Sequence, residues 1–485
     1  MRRAIPLVLL LLSIFTTPIN AQNRRYDDST EALIKAVENS LVSWVRVKSQ
    51  PEGNLEDRMK TLKVHGLTIA VIKNYQLHWT RGYGFADTAD KRPVIPQTLF
   101  QAASISKSLN AMGVLRLVQN KQIDLTADIN NYLKSWKFPY DTVSHNKKIS
   151  TANLLSHTAG LTVHGFAGYE WKDSLPSDNQ ILEGKRPSNS PAVKSAFEPG
   201  LRYQYSGGGT TISKKIIMDI SNEPYDKYME QKILKPIGMN QSFYTQPPPP
   251  TTFRNLATAY HADGKPVNSK FHIYPEQAAD GLWTNPTDLS KFIIEMQLSL
   301  QGKSNKILSK ETTTTMLTPF IDKSAALGVF IEERGGQKYF QHSGGNEGFR
   351  CQYYGSLENG NGLVIMVNSD NGQIIGEIMG SIAKNYGWKD FYKIEERTTV
   401  KMNIDTLKSY VGTYVLAKDS IEIKFIKDHL EIVETGGSLK LYFTSPTEFF
   451  ITEVRAEATF VRKEDKIHSF ILKQGGRTAT FIKAN

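Results

Sequence analysis

The chain reads as an α+β protein in which an antiparallel sheet is interrupted by a long helical insertion and followed by a small all-β domain. Three observations predict this. Strand-like text at about 67–85 returns only at 326–367. The residues between, about 100–320, are mainly helical with Gly-, Ser-, Asn- and Pro-rich loops. From about 400 the apolar residues alternate as they do in half-buried strands. If the two strand regions share a sheet, the insertion packs against it and their junction makes a natural cleft.

The elements follow in chain order. Met1–Gln22 carries Arg2 and Arg3, an apolar run from Ile5 to Phe15 and a small residue at Ala21. That order is the pattern of a secretory signal peptide, and the run is too short to span a bilayer. Cleavage near Ala21–Gln22 is expected, giving a periplasmic or secreted protein with no integral membrane segment. An amphipathic stretch (Leu33, Val37, Leu41, Val45) precedes two β-rich runs around Lys73-Asn74, a hairpin at about 67–85. Leu109, Met112, Leu115 and Val118 then mark an amphipathic helix, widened by Val114 and Leu117. Strands are expected at Ala326–Ile331, Lys338–Gln341, Phe349–Gly355 and Gly362–Val367, with a helix near 373–386. The sequence divides into a leader (1–21), a catalytic-type body (22–390), a charged linker around 390–402 and an antiparallel β domain (400–485).

Composition narrows the function. At 485 residues, 40% hydrophobic and 22% charged, the chain is an ordinary globular protein. Its net charge of +11 is dispersed, without the basic tracts of a nucleic-acid binder. Cys351 is the only cysteine, which excludes an intrachain disulfide and a multi-cysteine metal site, and it suits a buried structural role. There is no His-Glu-x-x-His, Walker loop, dinucleotide-binding glycine motif or Gly-x-Ser-x-Gly elbow, so no metal or cofactor is expected.

Serine chemistry of another kind remains. Ser-x-x-Lys occurs at Ser104–Lys107, Ser144–Lys147 and Ser381–Lys384. Ser144 lies in polar text and Ser381 inside a helix, where its hydroxyl would bond back to the backbone. Ser104 opens the long helix, where orphan N–H groups and the macrodipole favour negative charge. Lys107, one turn on, shares its face and, if desolvation lowers its pKa, accepts its proton. A plain N-cap serine beside a solvated lysine fits the same four residues.

Two further clusters matter. Tyr205-Ser206-Gly207 sets a phenol before a glycine run that opens another helix, a place for a proton shuttle or for a packed tyrosine in a turn. Gln341-His342-Ser343-Gly344-Gly345-Asn346 lies between two strands, where backbone N–H groups can face an oxyanion, although a hairpin turn that contains His fits equally.

Taken together, Phe100–Lys107 (FQAASISK), Tyr205-Ser206-Gly207 and His342-Ser343-Gly344, with LLSHTAGL (154–161), KPIGM (235–239) and GLWTNPTDL (281–289), resemble the serine β-lactamase and D,D-peptidase superfamily. The branch is that of class C β-lactamases, related esterases and D-stereospecific peptidases, and 400–485 is similar to the lipocalin-like barrel appended to some members. The resemblance covers about 60–385. It implies a β-lactamase/transpeptidase-like fold, with Ser104 as acylated nucleophile, Lys107 as its base partner and Tyr205 as proton shuttle. It also implies substrate-binding and oxyanion positions at His342, Gly344, Gly345 and Gly207, with the N–H groups of Ser104 and Gly345 as the oxyanion donors. Two departures are notable. Gly207 stands where β-lactam hydrolysers of this branch usually carry Asn, and His342 stands in the place of the triplet lysine and is expected to titrate near neutrality.

The function these residues imply is that of an exported serine hydrolase acting on small esters or D-amino-acid-containing peptides. The alternatives are a class C-like β-lactamase or penicillin-binding D,D-carboxypeptidase and, from another class, an inactive protein holding a cell-wall ligand.

Overall fold

The computed structural model describes residues 26–484 apart from 49, 418, 435, 436, 454, 465 and 475. The leader therefore lies outside the described residues. Among them, no helix is long and apolar enough to cross a membrane.

A seven-stranded antiparallel sheet forms the centre. Its order runs Arg92–Pro93, Gln76–Asp87, Gly66–Lys73, Gly362–Val367, Phe349–Ser356, Gln337–Asn346, Phe330–Arg334. The early hairpin thus pairs with a strand almost 300 positions later, Ile69 opposite Ile365, and the helical middle is an insertion between two halves of one sheet. The hairpin turns on Asn74 and Tyr75, with φ of 52° and 64°. Two successive left-handed residues match the right-handed twist of the strands they join. Strand Gly66–Lys73 is buried on both faces. Leu67, Ile69 and Val71 pack with Ile34, Val37, Ile374 and Ile378 of the terminal helices Asp28–Glu38 and Gln373–Asn385. Ala70 and Ile72 join the core of the insertion with Leu109, Phe292 and Ile293.

Three sequence expectations change. The Ala326–Ile331 strand lies later, at Phe330–Arg334, because Gly328 takes a φ of 79° where the chain closes on Ala111. The helix Ser106–Gln119 is not amphipathic: its first ten residues, polar ones included, are buried. Ser108 donates to the Gly328 carbonyl, Asn110 donates to Ser213 and accepts from Tyr225, and so the polar face is satisfied inside the protein. The linker is not free chain, since Glu395–Arg397 pairs in parallel with Val45–Val47.

A nine-stranded antiparallel sheet occupies residues 412–483. Its two edge strands, Gly437–Lys440 and Tyr442–Phe443, are separated only by Leu441, so the sheet curls until its edges nearly meet. Tyr410, Tyr414, Phe443, Phe449, Phe460 and Phe470 fill it.

Candidate active site

Ser104 sits in a 3-10 turn, Ala103–Ile105, that feeds the buried helix. Ala103 before it has a φ of 47°, a left-handed conformation that costs a residue with a Cβ about 1 kcal/mol or more. Three bonds hold the turn. Ser106 donates to the Ala103 carbonyl and accepts from the Leu282 N–H, while the Ala102 N–H donates to the Leu282 carbonyl. The segment 281–284 is thereby tied to the nucleophile strand, with Gln101 paired to Trp283.

Lys107, 2% exposed, donates to Ser104 Oγ at 2.9 Å and to the Ala279 carbonyl at 2.8 Å. Its Nζ lies 5.1 Å from the centre of the Tyr205 ring. Ser104 Oγ donates to Asp280 Oδ1 at 3.1 Å, and that carboxylate lies 3.5 Å from Lys107 Nζ. The structure therefore brings Ser104, Lys107 and Tyr205 together from 3-10 turn, helix and loop. The other two Ser-x-x-Lys serines are elsewhere: Ser144 bonds to the Asp141 carbonyl, and Ser381 bonds to the Val37 carbonyl of a neighbouring helix rather than back to its own.

Tyr205 precedes the helix Gly207–Ser221, whose N-cap Ser206 accepts from the Gly209 N–H. Its ring lies 4.3 Å from that of His157, tilted by 36°, and His157 Nδ1 accepts from the Ser206 N–H. His342 is a further neighbour of Tyr205, 6.4 Å between ring centres. His342, Ser343, Gly344 and Gly345 belong to the strand Gln337–Asn346 and not to the turn, which falls at 347–348. A Cβ at Gly344 would stand 2.2 Å from the Ala102 carbonyl oxygen and 2.6 Å from Cys351 Sγ, so glycine is what lets this strand lie against the nucleophile turn. Gly345 meets nothing closer than Arg350 at 3.5 Å. Cys351 is buried and inert, its thiol donating to the Ala102 carbonyl and pushed up in pKa by burial. At Gly207 a Cβ would come within 3.0 Å of Phe166 and 3.2 Å of the His164 carbonyl, so a side chain there fits only if these neighbours give by a few tenths of an ångström.

The electrostatics correct two expectations. Burial favours a neutral Lys107, but Asp280 and Tyr205 outweigh it and the pKa is raised, not lowered. Lys107 is an ammonium in the resting protein. His342 does not titrate near neutrality, because burial, reinforced by Lys107, holds it down to about 3. Its Nδ1–H donates to the Ser343 carbonyl, leaving Nε2 as a bare acceptor, buried and without a partner among the described residues. His157 is likewise pushed well below its ordinary value by burial, with Lys107 and His342 adding to it.

Asp280, His157 and Glu276 are neighbours that sequence reading missed. Asp280 ends a one-turn helix, Gln277–Asp280, with its carbonyl held by Asn346. Glu276, one turn earlier, is fully buried with neither carboxyl oxygen bonded among the described residues, and burial raises its pKa to about 8. Nothing in the spacing of these residues singles them out. The stretches around 157 and 281 were the available signal.

This fold and serine–lysine centre define a serine hydrolase of the beta-lactamase type: residues 52–374 match the Beta-lactamase family model, and the chain belongs to that family. Its relatives include penicillin-binding proteins. Penicillin-binding protein 4* of Bacillus subtilis is 23% identical over 433 residues, covering 84% of this chain and 93% of that protein. The octameric penicillin-binding protein homologue from Pyrococcus abyssi superposes with a TM-score of 0.61 at 20% identity, over 88% of this chain and 97% of that one. The D-amino acid amidase of Ochrobactrum anthropi SV3, solved with L-phenylalanine amide, gives 0.56 at 20% identity, over 73% of this chain and 99% of the other.

Proposed function

We propose that the protein is an exported serine hydrolase that cleaves small esters, and amides of the D-amino-acid peptide type, through an acyl-enzyme on Ser104. The observation that carries this reading is the Ser104 hydroxyl held at 2.9 Å by a buried lysine, whose Nζ also lies 5.1 Å from the centre of the Tyr205 ring. Ser104 Oγ attacks the acyl carbon and the carbonyl π pair moves onto oxygen, toward the N–H groups of Ser104 and Gly345. The Tyr205 hydroxyl takes the proton of Oγ as it gives its own to the leaving group. Lys107 stays charged and stabilises the negative charge that develops on Oγ. Water then enters, and the same relay runs in reverse to release the acid.

Esters are favoured over β-lactams for two reasons. Gly207 supplies no amide to grip the substrate, and neutral His342 supplies no cation for a substrate carboxylate, while Lys107 is already paired with Asp280. The charged-apolar-small order of the leader supports export.

The test is a fluorophosphonate probe with intact-mass readout, then a nitrophenyl ester against a chromogenic cephalosporin. One adduct on Ser104 and faster ester turnover are expected. Absence of any adduct overturns the hydrolase reading, and faster cephalosporin turnover makes the protein a β-lactamase.

A further inference from the structure

We propose that Asp280 sets substrate choice: it receives a protonated amine on the acyl group, so the preferred substrates are esters or amides of amino acids or peptides with a free α-ammonium. This rests on Ser104 being the acylated residue.

The argument begins with which groups satisfy the carboxylate. Asp280 is almost wholly enclosed, with a side chain 6% exposed. Lys107 directs its short bonds elsewhere, to Ser104 Oγ at 2.9 Å and the Ala279 carbonyl at 2.8 Å, and stands 3.5 Å from Asp280 Oδ1. The Ser104 hydroxyl is therefore the only short donor to the Asp280 side chain among the described residues. Acylation replaces that hydrogen by an acyl carbon. The nearly buried carboxylate then loses its short hydrogen bond and keeps only the Lys107 ammonium, 3.5 Å from Oδ1, an unfavourable change unless another donor takes the place.

A substrate amine can take it. In an aminoacyl-enzyme the α-nitrogen is three covalent bonds from Oγ, the atom Asp280 already touches. An ammonium there gives a charge-assisted bond, shorter and stronger than the hydroxyl's. An N-acylated substrate offers a weaker neutral donor, and an α-hydroxy ester a neutral hydroxyl. The backbone that carries Asp280 is held in place, because Asn346 donates to its carbonyl from the adjoining strand and also to Gln101. Among the groups around Ser104, burial weakens His342 and His157 as bases, and Asp280 is the carboxyl group within bonding distance of Oγ.

The experiment compares kcat/KM for the methyl esters of alanine and N-acetylalanine, both enantiomers, at about pH 6, where an α-amino group is protonated. Wild-type enzyme should favour the free amine by roughly 10- to 100-fold. In Asp280→Asn the ratio should fall to about one, and Asp280→Glu should restore part of it. A wild-type ratio near one, or a ratio unchanged in Asp280→Asn, overturns the proposal. If Asp280→Asn loses the Ser104 adduct altogether while remaining folded, Asp280 serves the nucleophile and selectivity is not its role. Should the variant not fold, the wild type alone decides with alanine methyl ester against methyl lactate, where equal rates refute the assignment. A wild type that forms no fluorophosphonate adduct fails at the earlier step and refutes the hydrolase reading itself.

Discussion

Ser104 differs from the chain's other Ser-x-x-Lys serines in what its hydroxyl touches. Ser144 and Ser381 spend theirs on backbone carbonyls, whereas Ser104 has a buried ammonium and a carboxylate within bonding distance. Ser104→Ala should abolish probe labelling, and Ser144→Ala and Ser381→Ala should retain it, read by intact mass. Tyr205→Phe removes the relay and should lower kcat/KM by ~10²–10⁴-fold, measured on an ester with folding checked by circular dichroism. Two buried groups set the response to pH. The folded pKa of His342 is about 3, and an unfolded imidazole titrates near 6.5, so acid protonates the unfolded chain first. Its contribution to stability is complete above about 6.5 and is lost as the pH falls toward 3. A limb of kcat/KM between about pH 5 and 8 should therefore persist in His342→Gln. Glu276 has the opposite sign: raised from 4.5 to about 8, it stabilises fully below 4.5 and less as the pH rises through 8. Glu276→Gln should match wild type in Tm at pH 4.5 and exceed it by several degrees at pH 8, as seen in a thermal-shift series.

The strand Gln337–Asn346 and the nucleophile turn meet where neither has room for an added carbon. Gly344→Ala would drive a methyl into the Ala102 carbonyl and Cys351, and the strand must lift from Ser104 to accept it. A loss of stability of about 1–3 kcal/mol in urea, together with slower labelling of Ser104, is expected. Gly207→Asn is a milder case, tight at 3.0 Å against the Phe166 side chain, which must shift to admit it, so it should raise β-lactam turnover more when Phe166 is also made smaller. The chromogenic cephalosporin assay on the single and double variants checks this.

The terminal barrel and the catalytic body share a seam in the whole molecule. Val45–Val47 pairs with Glu395–Arg397, and Val45 and Val47 pack on Phe450 and Tyr442 of the barrel. A chain ending after about residue 398 keeps the paired strand and should fold and label, with a Tm a few degrees lower from the uncovered valines. One ending at 390 loses the strand as well and should be distinctly less stable. If the longer truncation fails to label Ser104, the barrel is part of the catalytic body.

Periodicity and local chemistry were enough to read the hairpin around Asn74, the strand Gly362–Val367, the helix near 373–386 and the alternating barrel strands. Each is specified by neighbours a few residues apart, through turn geometry or the side on which apolar groups fall. The same locality places Lys107 one turn from Ser104, across the junction of the 3-10 turn and the helix. Asp280 and His157 approach the site from distant parts of the chain, and no short-range pattern encodes a contact between them and Ser104. The charge states were hidden for a related reason. Whether Lys107 is ammonium and His342 neutral depends on burial and on which group lies a few ångströms away, quantities that exist only after packing. The burial of Ser108 and Asn110 in a helix that looks amphipathic has the same origin, since their partners Gly328, Tyr353, Ser213 and Tyr225 come from four separate segments. Local order along the chain thus determined the elements and the nucleophile pair, and long-range packing decided the electrostatic setting in which that pair works.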